Sequence, residues 1–357
     1  MQRPVLGILT AGRGRVPGNR EMFRFVQEAC QTAGLISYVF TPEYVNWERG
    51  VVMGYRYQQG RWRASQFPLP NVVYNRVPNR KLESNEQVRL AKRRLRARGI
   101  PYYNASYLNK YDLYRVLQSD PVVREHLPWT RLVRSRADIE SGLRQFGSIY
   151  LKPRHAFAGK GIFRVSLQGN GWSFRYRQKG TNREVRGTSR LELWQLLDHQ
   201  MAGRSYIVQQ AISLARYKGR AFDVRLLAQK NGSGQWQMSG MGIRVAGKGS
   251  ITTHVPNGGY IATAEEVLPV VFGADAESVR DNASRLAMLI APKVELGYKG
   301  LFGEMSMDIG LDIQGHPWFF EANAKPMRFD ERRIRRAGLK TLVAYTRYLA
   351  GRADGGR

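Results

Sequence analysis

The chain is poor in cysteine and poor in acid. Cys30 is its only cysteine, so no disulfide closes within it and a reducing cytoplasm is the expected compartment. Its 28 Asp and Glu face 57 Lys and Arg in 357 residues, a formal net charge of +29. No run approaches the ~20 apolar residues of a membrane-spanning helix, and the apolar run Val5–Leu9 is too short to read as a signal peptide. Internal repeats and low-complexity linkers are absent. So are a Ser–His–acid nucleophile motif and Cys/His zinc spacing, which leaves chemistry to nucleotide, metal and charged groups.

The charge surplus crowds residues 76–98 and 325–340 and would attract polyanions such as nucleic acid, anionic polymers or acidic proteins. Arginine outnumbers lysine 44 to 13, a bias that genomic base composition alone produces. A solvated basic surface with no dedicated partner therefore competes with every polyanion reading.

Length allows two or three domains. Residues 4–10 read as a buried strand, 20–33 as a helix and 35–40 as a second strand, an open α/β start. Residues 51–67 look like an antiparallel excursion turning at Gly60. A strand at 70–78 and a basic helix at 83–98 complete a first domain, 1–106. The rest, 107–353, reads as α+β. It has helices near 110–119, 191–201, 276–296 and 332–349. Strands are expected at 148–152, 162–166, 171–177, 182–186, 206–212, 221–229 and 236–245. Val279, Ala283, Leu286, Leu289 and Ile290 give the third helix its apolar spacing.

The segment 303–326 carries the most information. It reads as two strands joined by a tight turn, with Asp308 on the first and Glu321 and Asn323 two apart on one face of the second. A turn centred on Gln314 and Gly315 sets Asp308 opposite Glu321. Opposed strand residues have Cβ atoms roughly 5 Å apart, and like charges there repel. Two carboxylates and an amide oxygen so placed suit a hard cation, Mg²⁺, with Mn²⁺ as an alternative ion. Asp312 lies at the turn and takes a lesser role.

Four further stretches add chemistry. Lys152 ends a strand and is followed by small residues through Gly161, a loop in which backbone N–H groups can approach phosphate, although a plain β-turn fits as well. This is not a Walker A loop, because Gly161 follows Lys160. The strand ending at Ile212 can offer backbone to an adenine edge, with Arg225 facing phosphate; an ordinary core strand with an ion pair is the competing account. Arg244 precedes a loop in which the pair Gly258 and Gly259 suits close backbone approach, and His254 there is a ligand, a base or a structural residue. The loop with Gly12, Gly14 and Gly18 lacks dinucleotide spacing and an acidic partner, but Gly14 remains a candidate for a substrate anion at the next helix N-terminus.

In this order, a strand lysine with a small-residue loop, a linker, a D-x-R strand (Asp223, Arg225), a paired-glycine loop and a D…E-x-N hairpin resemble the ATP-grasp enzymes. The whole chain resembles most closely their YheC/YheD group, described as endospore coat-associated. That resemblance implies an N-terminal open α/β (pre-ATP-grasp) domain followed by a two-lobed ATP-grasp domain, with lobes at about 107–207 and 208–353. It implies that Lys110 and Lys152 contact ATP phosphates or the adenine side. Ala158, Gly159, Lys160 and Gly161 would cover the phosphates, and Gln209, Gln210 and Ile212 would hold adenine. Asp223 belongs with the nucleotide site, Arg225 and Arg244 face the γ-phosphate or acyl phosphate, and Asp308, Glu321 and Asn323 carry Mg²⁺. Asn75, Arg76, Gly14, His254, Gly258 and Gly259 are the substrate-side candidates. Two departures stand out: Gln209 and Gln210 replace the usual acidic linker residue, and no ribose-binding carboxylate is evident.

The implied activity is ATP-dependent ligation of a carboxylate to an amine or other nucleophile through an acyl phosphate. The substrate would be an amino acid, a peptide (an acidic one fits the basic first domain) or an envelope- or coat-related acid. Spore association and a coat or polyanionic partner come with the same resemblance. A nucleotide-binding coat scaffold without turnover is the alternative. A nucleic-acid-binding protein, which predicts steeply salt-dependent DNA binding, is the remaining one.

Overall fold

The computed structural model describes residues 3–154, 161–178, 180–253, 255 and 258–354. Three sheets organise them. The first holds β1 (Val5–Leu9), β2 (Ile36–Phe40), β3 (Val45–Asn46), β4 (Val51–Gln58), β5 (Arg61–Pro68), β6 (Val72–Asn75) and β7 (Tyr102–Tyr103). Strands β2, β1, β6 and β7 run parallel, as expected for an α/β start, and β4–β5 form the antiparallel excursion. Gln59 and Gly60, both at positive φ, make its two-residue turn. Helix α1 (Arg20–Thr32) is capped by Asn19; a short α2 (Arg80–Glu83) precedes the expected basic helix, α3 (Glu86–Ala97), which Asn85 caps.

Helices α4 (Lys110–Gln118) and α5 (Pro121–Arg124) lead into the second sheet. It contains β8 (Thr130–Leu132), β9 (Ser148–Pro153), β10 (Phe163–Gln168), β11 (Gly171–Gln178), β12 (Thr181–Gly187) and β13 (Tyr206–Gln210), all antiparallel to their neighbours in the order β12-β11-β10-β9-β13-β8. Helices α6 (Arg136–Phe146) and α7 (Arg190–Met201) bury Leu143, Leu193 and Leu197 against it.

The third sheet contains β14 (Arg216–Tyr217), β15 (Arg220–Lys230), β16 (Trp236–Val245), β17 (Tyr260–Thr263), β18 (Glu304–Leu311) and β19 (Pro317–Asn323). Its order is β17-β16-β15-β18-β19. Helices α8 (Ala264–Phe272) and α9 (Ala276–Tyr298) cover one face. On α9 the apolar face differs from the expected one by a residue: Leu289 is exposed, and Ala287, Ala291 and Val294 complete the buried stripe. Part of its other face is polar and lines a cleft against the second sheet.

Helix α10 (Arg332–Asp354) closes the chain. Its Leu342, Val343, Tyr345 and Leu349 join Leu6, Ile8, Phe23 and Tyr74 in the core of the first sheet, while Ile334 packs with Leu227 of the third. Among the described residues no helix is long and apolar enough to cross a membrane.

Candidate active site

Strand β15 is the centre of the third sheet, and alternation along it puts Asp223 and Arg225 on the polar face. Register then fixes their neighbours. Arg244 of β16 lies opposite Asp223; Asp308 of β18 lies opposite Arg225; Glu321 of β19 lies opposite Asp308. Three acids and two arginines, far apart in sequence, thus form a charged grid across four strands.

The pairing of Asp308 with Glu321 is reached by a different route from the expected turn. Asp312 caps the turn, its Oδ1 accepting from the backbone N of Gln314 at 3.0 Å and of His316 at 2.9 Å, so the strands first meet at Leu311 and Pro317. A bulge at Phe320 then shifts the register by one and brings Glu321 level with Asp308. Phe320 and Glu321 consequently both line the cleft.

The grid is dense in ion pairs. Arg244 donates from Nε and Nη2 to the two oxygens of Asp223 at 2.9 and 2.6 Å, and Nη2 also sits 2.7 Å from Asp308 Oδ2. Thr253 Oγ1 donates to Asp223 Oδ2 at 2.5 Å. Burial alone would lower the Arg244 pKa, but the two carboxylates raise it. Lys110, the first residue of α4, pairs with Glu321 Oε2. Burial pushes Asp308 up, against the pull of Arg244, while at Glu321 the effect of burial is overcome by Lys110 and its pKa is lowered. The buried Oδ1 of Asp308 and the buried Nε of Arg225 have no hydrogen-bond partner among the described residues.

The second sheet faces this grid with Lys152. Its ammonium donates to Gln209 Oε1 at 2.5 Å and lies over the rings of Tyr150 and Phe320 at 5.5 and 5.4 Å. Gln209 is held in turn by donating to Thr130 Oγ1 at 2.9 Å. Burial first, and then the neighbouring Lys110, bring the Lys152 pKa down to about 8.

A cleft of about 950 Å³ separates the two sheets, at the upper end of small-ligand sites. Lys110, Lys152, Gln209, Gln210, Ile212 and Asp223 line it, as do Arg225, Arg244, Asp308, Glu321 and Asn323. Gly14, Gly161, Gly258 and Gly259 do not line it. Asn75 and Arg76 also lie away from it, buried where the first and third sheets meet. Asn75 Nδ2 donates to Glu83 Oε1 at 2.8 Å, and Arg76 donates to Pro326 O at 3.0 Å and pairs with buried Glu304. Ala158, Gly159, Lys160 and His254 fall outside the described residues.

Comparison with known proteins settles the family. The model of the YheC/D-like ATP-grasp family matches residues 99–349. The chain belongs to that family. It is 30% identical over 343 residues to the endospore coat-associated protein YheD of Bacillus subtilis (strain 168), an alignment that covers 91% of this chain and 73% of YheD. Among solved structures, the D-alanyl-alanine synthetase A of Vibrio cholerae superposes with a TM-score of 0.56 at 13% identity, covering 99% of this chain and 98% of that one. The ATP-grasp ligase PsnB, solved with a minimal precursor, gives 0.54 at 14%, covering 98% and 100%. These likenesses establish the ATP-grasp fold.

Within this family fold, several cleft residues have no obvious mark in the sequence. Tyr150 could be found as the residue two before Lys152 on the same strand face. Phe320 could not, because only the bulge turns it inward. Thr253 and Lys325 carry no local signal. Lys325 reaches Glu83 Oε1 at 2.6 Å and lies 4.5 Å from the Tyr107 ring. That carboxylate also serves Lys92 at 2.7 Å, so Glu83 is lowered. Lys325, stripped of water and sharing Glu83 with Lys92, falls to about 7.

Proposed function

We propose that this protein is an ATP- and Mg²⁺-dependent ligase. It activates a substrate carboxylate as an acyl phosphate and joins it to an amine, releasing ADP and phosphate. The carrying observation is the opposition of Asp308 and Glu321, flanked by Arg225, Lys110 and Lys152 in one cleft. Two opposed carboxylates cost stability unless something cationic binds them. The donor set, two carboxylates with the Asn323 amide beside them and a buried Asp308 oxygen that has no partner among the described residues, fits a hard ion. Magnesium, when bound there, supplies charge neutralisation for phosphate oxygens.

The chain's own residues do the rest. Lys110 and Arg244, which here neutralise Glu321 and Asp308, are cations within the same cleft that phosphate oxygens can recruit. Arg225 offers an Nε with no partner among the described residues. Asp223, which also accepts from Thr253, holds the Arg244 guanidinium through two N–H···O bonds. Such positioning and charge neutralisation are what phosphoryl transfer chiefly requires. With this reading go a first domain at 1–106, ATP-grasp lobes at 107–207 and 208–353, and a spore-associated role extended from YheD.

The experiment is incubation with ATP, Mg²⁺ and an amino-acid and peptide mixture, reading ADP and product mass. Asp308→Asn should lower turnover about 100-fold or more, the scale of losing a metal ligand or one strong electrostatic contact. ATP binding without ADP in the presence of any acceptor would leave the non-catalytic scaffold reading in its place.

A further inference from the structure

The cleft holds more positive charge than its carboxylates or a nucleotide account for. Among the described residues, ten Lys and Arg line it against three acids. Lys110 and Arg244 are matched to the carboxylate pair, Lys325 to Glu83, and Lys152 and Arg225 stand beside the grid. Two of the remaining cations have a defined geometry. One rung of the second sheet reads Gln209, Tyr150, Arg164, Arg175 and Glu184 across β13, β9, β10, β11 and β12. Arg164 and Arg175 are therefore directly opposed neighbours, a like-charge pair of the kind that destabilises a sheet.

Their partners do not cancel the charge. Arg164 donates from Nε to Ser148 Oγ at 3.1 Å and lies 5.8 Å from the Tyr150 ring centre. Among the described residues it has no carboxylate in ion-pair range. Arg175 reaches Glu184 Oε2 at 3.2 Å, but Arg186 draws on the other oxygen of Glu184 at 3.1 Å. Lys248 closes the same side. Its carbonyl accepts from Asn182 Nδ2 at 3.2 Å, and Tyr150 OH donates to Ile251 O at 3.1 Å, tying that loop to the second sheet.

Position separates this group from the nucleotide end. Strands lie ~4.8 Å apart, which puts Arg164 roughly 10 Å and Arg175 roughly 14 Å from β13, where adenine contacts are expected. Arginine pairs carboxylate groups through two parallel N–H···O bonds, and two guanidinia on adjacent strands match carboxylates spaced along a chain.

We propose that Arg164, Arg175 and Lys248 form an exosite for the acceptor: a peptide segment bearing several carboxylates, held away from the reacting carboxyl. The ligase reading above is what makes the anion an acceptor substrate; the exosite itself is tested without nucleotide. The probe is fluorescently labelled hexaglutamate, followed by anisotropy at fixed salt. The wild-type protein should bind it. The double variant R164Q/R175Q should bind at least about tenfold more weakly, the scale of one to two charge-assisted hydrogen bonds. Glu184→Gln, which frees Arg175 from its competing carboxylate, should tighten binding several-fold, an effect that a purely structural role would not produce. If the double variant does not fold, R175Q alone carries the test.

Absence of wild-type binding, or equal affinity in the variants, overturns the proposal. Hexathymidylate bound as tightly and lost with the same variants would also overturn it, in favour of a general polyanion surface. Failure of the ligase reading would appear instead as absent ADP formation with hexaglutamate binding intact.

Discussion

Lys152 is a cation held beside another cation, with Lys110 sharing its end of the cleft and Gln209 as its neutral partner. Burial makes the ammonium costly, and its pKa falls to about 8. Asp223, Asp308 and Glu321 act in the opposite direction without restoring it. The sign of the consequence follows. Below pH 8 the side chain is charged and ready for phosphate; above it, a proton must be taken up on binding. Affinity for ATP should therefore fall about tenfold from pH 7 to pH 9, one proton linked across a pKa near 8. Titration calorimetry at several pH values measures this, and Lys152→Met should bind weakly with a flat profile over the same range. Lysine at the end of an alternating strand is legible in sequence. The depressed pKa is not, because Gln209 and Lys110 reach it from 57 and 42 residues away.

The hairpin β18–β19 shows the same limit at the scale of an element. Counting back from a presumed two-residue turn pairs Asp308 with Glu321. The chain makes that pair through a longer turn compensated by the bulge at Phe320. Periodicity places carboxylates on a face, but it does not report an inserted residue that leaves the outcome unchanged. Gly310 is what makes room: a Cβ there would lie 2.4 Å from the Phe320 ring and 2.7 Å from Leu214. Gly310→Ala should destabilise the protein by about 2 kcal/mol, as overpacking of a filled site does. It should also weaken ATP binding by displacing the Phe320 ring from beside Lys152. Guanidinium unfolding followed by tryptophan fluorescence checks the first effect, Trp318 sitting opposite Gly310 in the ladder. An unchanged midpoint would mean that the bulge relaxes without strain.

Across the whole molecule, the three sheets are joined by features that sequence patterns assign to no partner. The last helix reads as amphipathic, and its length is legible within a few residues. Which sheet it covers is not, since an apolar stripe fits any apolar surface. It covers two. Tyr345 is buried, its ring 5.5 Å from that of Tyr103 in the first sheet, and a Cβ added to Gly303, just before β18, would touch it at 2.8 Å. Further back along α10, Gln229 Nε2 of β15 donates to Gly338 O at 3.1 Å, and Gln237 Nε2 of β16 donates to Thr341 Oγ1 at 3.2 Å. Buried Glu304 gathers Tyr74, Asn104 and Gln229 at the same junction. A helix clamped this way couples the first sheet to the third. Tyr345→Ala should therefore cost about 3–5 kcal/mol, the range for emptying a large aromatic site. It should do so cooperatively, lowering hydrogen-exchange protection of β1 and β16 amides together. Protection lost in β1 alone would show that the first sheet opens independently, and that α10 serves as its cover rather than as a link to the cleft.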